Sequence, residues 1–324
     1  MSPRSSLRTH GYAPVHGVAP VRSGTAPANG ITGSLAARDV TLAYDGRVVC
    51  DGLSVDIPDG EFTAIIGPNG CGKSTLLKSL ARILTPTRGQ VLLDDRPIRS
   101  YGSKQVARRV ALLPQSPVAP DAIRVGDLVG RGRYPYHSLW RQWTPDDQDA
   151  IDTALALTGT AELSQRYVTE LSGGQRRRVW VAMVLAQQAP TLLLDEPTTF
   201  LDIAHQYELL ELCATLQRDG RTVVAVLHDL NQAARFAGHL VMMKEGRIVA
   251  EGPPGEILTA ELVEDVFGLR CEIVPDPQSR TPMMVPLVRD FGHEQVAALE
   301  DASGALQALD EALHTDQSEP RSRQ

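Results

Sequence analysis

Four short apolar runs punctuate the chain, and each opens directly onto glycine or a polar side chain. Phe62–Ile66 runs into Gly67, Val110–Leu113 into Pro114-Gln115, Thr191–Leu194 into Asp195-Glu196, and Val223–Leu227 into His228-Asp229. Runs this short and this continuous predict strands of a buried sheet. Residues at the carboxyl ends of such strands face the crevice where open α/β sheets bind ligands. Ahead of them, Ala36 to Tyr44 and Val48 to Ile57 flank Asp45-Gly46 and predict strands of a small antiparallel N-terminal sheet, with Val91–Asp94 as a further strand. Tyr207 to Leu216 predicts a helix, Leu240–Met243 and Gly246–Ala250 a hairpin around Lys244-Glu245, and Gly255–Phe267 another helix.

The pattern changes after residue 116. Proline and glycine punctuate the start, Val125–Gly130 predicts a short helix, and Arg131–Tyr136 is basic and aromatic. Thr144-Pro145-Asp146-Asp147 is a helix start, with a capping threonine, proline at the first helical position and acids in the first turn. Residues 116–175 therefore predict an inserted helical subdomain and not more sheet.

Composition narrows the classes. The 324 residues suffice for one large or two small domains, and a formal net charge of −7 argues against general nucleic-acid binding. Cys50, Cys71, Cys213 and Cys271 form no closely spaced pair, so zinc and a redox couple are both disfavoured and reduced thiols are expected. No apolar stretch reaches the roughly 18 residues of a membrane span. Residues 1–34 are rich in Pro, Gly, Ser and Ala; Pro14, Pro20 and Pro27 break any amphipathic targeting helix, and a disordered extension is expected. The acidic, Ala/Leu-rich tail over 291–324 is expected to be disordered or a marginal helix, with Val296, Leu299, Leu306, Leu309 and Leu313 at roughly helical spacing and Gly304 interrupting them.

Gly67-Pro68-Asn69-Gly70-Cys71-Gly72-Lys73-Ser74-Thr75 fits G-x-x-x-x-G-K-[ST], between a predicted strand and the helical Leu76–Leu80. That context is what a phosphate-binding loop needs: glycines let backbone N–H groups line one concavity, and a helix N-terminus adds its positive end. Lys73 is placed for β- and γ-phosphates and Ser74 for Mg²⁺. Asp195 and Glu196, as neighbours on an extended segment, are expected to point to opposite sides and take separate tasks. Asp195 would support the Mg²⁺ shell and Glu196 polarise the attacking water. Leu171-Ser172-Gly173-Gly174-Gln175 opens a helix with Ser172 as a candidate cap. Singly, a strand-end Gln115, a Ser-Gly-Gly helix start, a pair of acids or His228 is as readily structural as functional. Together they carry weight.

In this order the motifs resemble the nucleotide-binding subunit of an ATP-binding-cassette transporter over about residues 35–290. The resemblance implies a P-loop α/β core with a mainly parallel sheet, an antiparallel β subdomain and an inserted helical subdomain. It makes Tyr44 the adenine-stacking aromatic, Gly67 to Thr75 the Walker A loop, and Gln115 the Q-loop glutamine. Ser172, Gly173, Gly174 and Gln175 fall in the signature motif, Asp195 and Glu196 in Walker B, and His228 is the switch histidine. ATP and Mg²⁺ are the implied cofactors, with Ser74, Gln115 and Asp195 toward the metal, and Lys73, Gln115, Glu196 and His228 in catalysis. Leu201-Asp202 matches the D-loop, although Phe200 stands where serine is usual. Gly132–Tyr136, Gln175–Trp180 with Ala182, Asp195–Gln206, Leu227–Ala233 and Val266–Leu269 are similar to the ferric-siderophore importer branch, with haem and cobalamin importers the near alternatives. The implied partners are a second copy of the chain, membrane permease subunits near Val125–Trp143 and, indirectly, a periplasmic or lipid-anchored substrate-binding protein. No nucleic acid is implied, and the place is the cytoplasmic face of a bacterial membrane. A soluble cassette ATPase acting on DNA or ribosomes is the competing class. The 55 residues between Gln115 and Leu171 leave no room for the long coiled coil such proteins carry.

Overall fold

A computed structural model describes residues 34–137 and 143–287. The expected extension before residue 34 and the expected tail helix beyond 290 lie outside the described residues. The chain opens with β1 (Leu35–Tyr44), β2 (Arg47–Ile57), β3 (Phe62–Ile66), α1 (Lys73–Leu80), β4 (Arg88–Leu93), β5 (Arg96–Pro97), α2 (Ser103–Ala107) and β6 (Val110–Leu113). A helical stretch follows, with α3 (Val125–Gly130), α4 (Pro145–Leu157) and α5 (Gly173–Ala186). The rest comprises β7 (Thr191–Asp195), α6 (Ile203–Arg218), β8 (Thr222–Val226), α7 (Leu230–Phe236), β9 (His239–Lys244), β10 (Arg247–Gly252), α8 (Pro254–Ile257), α9 (Ala260–Phe267), β11 (Cys271–Pro275) and β12 (Pro282–Pro286).

The apolar runs become a six-stranded sheet of order β10-β9-β3-β8-β7-β6, parallel except for β10 at one edge. Its strands alternate between two cores. Ala64, Ile66, Leu192, Leu194, Val223 and Ala225 face the core shared with the helical subdomain, α6 and α7. Ile65, Leu193, Val224 and Val226 face a second core with α1 and the N-terminal sheet, whose order is β2-β1-β4-β5. A strand buried on both faces needs apolar residues at every position, which is why these runs show no period-two pattern.

Two expectations are corrected. Gly255–Phe267 is not one helix: Leu258 leaves the helical region, and Thr259 starts α9 by accepting a hydrogen bond from Leu262 N at 3.2 Å. A threonine hydroxyl that competes for the backbone favours a new cap over a continuous helix. The antiparallel β11–β12 hairpin has no forerunner in the sequence reading, because its short strands are only half-buried and packed against α7.

The helical subdomain is pinned by a buried charge pair. Arg133 Nε donates to Asp147 Oδ1 at 2.9 Å, and its Nη1 donates to both Ala186 O and Gln188 Oε1. Asp147, on the first turn of α4, also accepts from Thr144 N and Oγ1. Burial alone would raise its pKa, but hydrogen bonds from Arg133 and Thr144 hold it well below the carboxylate range. Removing one partner of a buried pair strands the other charge. Asp147→Asn is therefore expected to lower stability by about 3–5 kcal/mol in denaturant unfolding. The folded pKa is depressed, so the contribution is complete above the unfolded value of about 3.9 and is lost as pH falls below it. The variant should lose that acid-side slope.

Candidate functional site

The sheet order delivers the four strand ends to one edge. β3 leads to the glycine loop, β8 lies beside it with His228 just past its end, β7 ends in Asp195, and β6 leads into Gln115. A cleft of about 860 Å³ forms there, lined at its centre by Gly72, Lys73, Ser74, Gln115, Glu196 and His228. Tyr44 lines the same cleft from the N-terminal sheet and is partly exposed, alongside Arg47, Val48 and Val49. Gly246 in the β9–β10 turn completes the wall and donates its amide to Cys71 O at 3.0 Å.

The loop's glycines are required by space as well as by dihedral angle. Gly67 has φ +155°, and a Cβ there would stand 2.1 Å from Met243 O on the neighbouring strand β9. Gly72 caps α1 in the left-handed region without a side-chain cap, so no side chain competes for the amides of Lys73, Ser74 and Thr75. Those first-turn amides lack intrahelical acceptors, which makes this helix start an anion cradle. Lys73 is buried, with Nζ donating to Gly67 O and Pro68 O at 2.8 Å each. Cys71 is buried among these atoms, and burial pushes its thiol up.

Ser74 Oγ donates to Asp195 Oδ1 at 2.7 Å, while Asp195 Oδ2 is buried without a hydrogen-bond partner among the described residues. Burial raises the Asp195 carboxyl above its usual range despite the serine bond. Two converging hard oxygens, one of them unsatisfied, fit a divalent cation of the Mg²⁺ class.

Glu196 takes its separate direction for a reason other than strand alternation. Its φ is +50°, so the chain turns left-handed immediately after β7 and swings the carboxylate into the cleft. Glu196 Oε1 lies 2.9 Å from His228 Nε2, with the carboxylate side chain 12% exposed. Burial would raise its pKa, but hydrogen bonds from His228 and Gln115 bring it below the ordinary value. His228 is itself steadied through α7: Asp229 Oδ1 accepts from Gln232 N at 2.8 Å, and Gln232 Nε2 donates to Gln206 Oε1 at 2.9 Å. Gln206 in turn donates to Leu201 O. On the other side, Asn231 makes paired bonds with the backbone of Met284 in β12.

Ser172, Gly173, Gly174 and Gln175 do not line this cleft. They form the exposed start of α5, where Ser172 Oγ accepts from Gln175 N and Gln175 Oε1 accepts from Ser172 N. Gln175 is thus occupied as half of a capping box, whereas the Ser172 hydroxyl keeps its proton to donate. Beside them Phe200, left-handed at φ +68°, is 77% exposed. Arg177 falls within the stretch Gln175–Trp180 that resembles the siderophore-importer branch, but no separate role is read for it among Arg176-Arg177-Arg178. Its spacing to Val181 and Val184, both buried, was the available signal, and its side chain is buried as well.

The family described as ABC transporter matches over residues 50–199. The chain is 54% identical to the ferric enterobactin transport ATP-binding protein FepC of Escherichia coli (strain K12), over 79% of this chain and 94% of that protein. It is 48% identical to the petrobactin import ATP-binding protein FpuD of Bacillus anthracis, over 78% and 93%. Among solved structures, it is similar to a transporter assigned to the metal-chelate ABC type in an inward-facing conformation. That likeness has a TM-score of 0.67 and 29% identity, and covers 80% of this chain and 98% of that one. The dimeric bacterial ABC transporter cassette MJ0796 superposes with a TM-score of 0.62 at 26% identity, over 68% and 98%.

The loop geometry is open to test without any ligand. Gly67→Ala forces a Cβ into a backbone carbonyl, whereas Gly70→Ala meets nothing within 4 Å among the described residues and incurs its positive φ of +79°. The second change is expected to cost about 1–2 kcal/mol in denaturant unfolding and the first clearly more. Equal losses would show that the approach of β9 is not the constraint.

Proposed function

The chain belongs to the ABC transporter family, and from that membership we propose that it is the ATP-hydrolysing subunit of an importer for ferric siderophores. The observation that carries the catalytic reading is the pairing of Glu196 with His228 at 2.9 Å, in the cleft that also holds Lys73 and Ser74. The cargo reading rests on the 54% identity to a ferric enterobactin transport protein across nearly all of that protein.

In this reading the adenine lies against Tyr44 and the phosphates on the loop from Gly67 to Thr75. Lys73 Nζ, now shared between two loop carbonyls, turns to the β- and γ-phosphate oxygens. Ser74 and Asp195, with Gln115 at the rim, would hold Mg²⁺. When bound, that ion neutralises charge across the β- and γ-phosphates. Glu196 stays ionised at neutral pH and accepts a hydrogen bond from the attacking water. His228, donating through Nε2, fixes the direction of the carboxylate. Water oxygen bonds to the γ-phosphorus, the bond to the β–γ bridging oxygen breaks, and ADP and inorganic phosphate leave.

Ser172, Gly173 and Gly174 stand outside their own cleft, which supports a head-to-tail dimer in which they close the site of a second copy. Shifting such a dimer from 1:99 open to 99:1 closed takes about 5.5 kcal/mol of differential binding. Charge-assisted hydrogen bonds to phosphate contribute about 1.5–3 kcal/mol each, so two sandwiched nucleotides suffice. Exposed Phe200 beside Gly173 adds apolar surface to that seam. Among the described residues no helix is long and apolar enough to cross a membrane. In this reading the chain attaches to the cytoplasmic face through a permease docked near Tyr134, which is exposed on the helical subdomain.

Glu196→Gln is expected to bind ATP, to hydrolyse it at least about tenfold more slowly and to accumulate as closed dimer in size-exclusion chromatography. Adding Phe200→Ala should weaken that dimer by about tenfold or more, given roughly 1.5–3 kcal/mol for burying such a side chain. Unchanged turnover in Glu196→Gln would remove that residue from the mechanism. For the cargo, cells carrying the assembled transporter should take up labelled ferric siderophore with the wild-type chain and not with Glu196→Gln. Uptake of haem or cobalamin in its place would reassign the importer.

A further inference from the structure

Five backbone carbonyls from two strand ends converge on one side chain. Arg177, one turn into α5, donates through Nη2 to Asp195 O at 2.7 Å and Glu196 O at 2.5 Å, and through Nε to Pro197 O at 3.1 Å. Its Nη1 reaches Pro114 O at 3.1 Å and Gln115 O at 3.2 Å. Arg177 as a whole is 4% exposed. Among the described residues it has no carboxylate within ion-pair distance. The planar fork of donors is satisfied by carbonyls, an arrangement that fixes backbone geometry at both strand ends at once.

The contacts fall where backbone direction decides side-chain direction. Glu196 is a non-glycine residue at φ +50°, a conformation that persists only when its surroundings hold it. The two carbonyls flanking its Cα share Nη2 of Arg177, so the peptide planes that aim its carboxylate at His228 are set from α5. The carbonyl of Gln115 is set from the same group. Five residues upstream, exposed Ser172 precedes α5 as its cap, its hydroxyl accepting from Gln175 N. One rigid helix thus carries the signature serine at its tip and grips the water-activating glutamate of its own cleft one turn further on.

We propose that Arg177 is a positioning residue that couples the two nucleotide sites of the dimer. When Ser172 to Gly174 engage the nucleotide held by the second copy, the resulting displacement of α5 is passed through Arg177 to Glu196 and Gln115 of the first. Each site then becomes competent when the other is filled. This rests on the head-to-tail reading above, and the test separates the two.

Steady-state ATP turnover, its dependence on ATP concentration and binding of a fluorescent ATP analogue are measured for the wild-type full-length chain, Arg177→Met and Arg177→Lys. Thermal unfolding reports whether each variant folds. The wild type should turn over ATP with a Hill coefficient above 1, bounded by about 2 for two sites. Arg177→Met keeps the length but removes all donors. It should bind the analogue within about threefold of wild type, lose at least about tenfold in kcat and show a Hill coefficient near 1. Arg177→Lys offers one ammonium that serves one strand end at a time, so it should regain part of kcat and none of the cooperativity. A folded Arg177→Met variant with wild-type kcat and Hill coefficient overturns the proposal. If that variant does not fold, wild-type cooperativity in Arg177→Lys overturns it instead. Non-cooperative turnover in the wild type also overturns it. Absence of ATP turnover in the wild type would bring down the underlying reading as well, and is recognisable as such.

Discussion

The hydrogen bond between Ser74 and Asp195 joins two strands that do not touch. The loop after β3 and the end of β7 are separated in the sheet by β8, and this 2.7 Å contact crosses that gap. With β8 between them, the carboxyl ends leave a space wide enough for a triphosphate, and His228 enters it from the middle strand. Were β3 and β7 adjacent, the loop and the acids would crowd one another, and His228 would have no path to Glu196. The buried, unpaired Oδ2 of Asp195 is the cost of holding that space open for a cation.

Around this contact the backbone carries as much of the chemistry as the side chains. Gly67 tolerates the approach of Met243 O only because it has no Cβ, and Gly72 starts α1 without a side chain that would claim its amides. Glu196 leaves the strand through a left-handed step that points its carboxylate away from Asp195. Two neighbouring acids thereby acquire opposite tendencies. Burial raises the carboxyl beside Ser74, while hydrogen bonds from His228 and Gln115 lower the one in the cleft. A site that needs one carboxylate for a cation and one for water is served by that divergence.

The segment proposed to complete the nucleotide site of a second copy faces away from the cleft. Ser172 to Gly174 lie on the exposed start of α5, with strained and exposed Phe200 alongside. A cleft closed by a second copy can open again once the γ-phosphate is gone, which a cleft closed by its own chain could not do without unfolding part of itself. The buried Arg133–Asp147 pair sets the helical subdomain as a firm body on which α5 packs. Motion at its tip then has something rigid to act against.

By itself the sequence determined the phosphate loop, the strand ends bearing Gln115, Asp195, Glu196 and His228, and the helical insertion. These are local signals: unbroken apolar runs, glycine spacing, and a capping Thr144 with Asp147. Family resemblance rests on the same residues. Tertiary structure alone decided that β8 intervenes between β3 and β7, that Glu196 turns left-handed, and that the middle one of three arginines is buried. Strand order depends on which faces pack together. A left-handed step at Glu196 depends on carbonyls held from another helix, and burial of Arg177 depends on acceptors up to 63 residues away in the chain. No window of neighbouring residues contains that information. The β11–β12 hairpin was invisible for the same reason, since its half-buried strands are held by Asn231 and α7 and not by a pattern of their own.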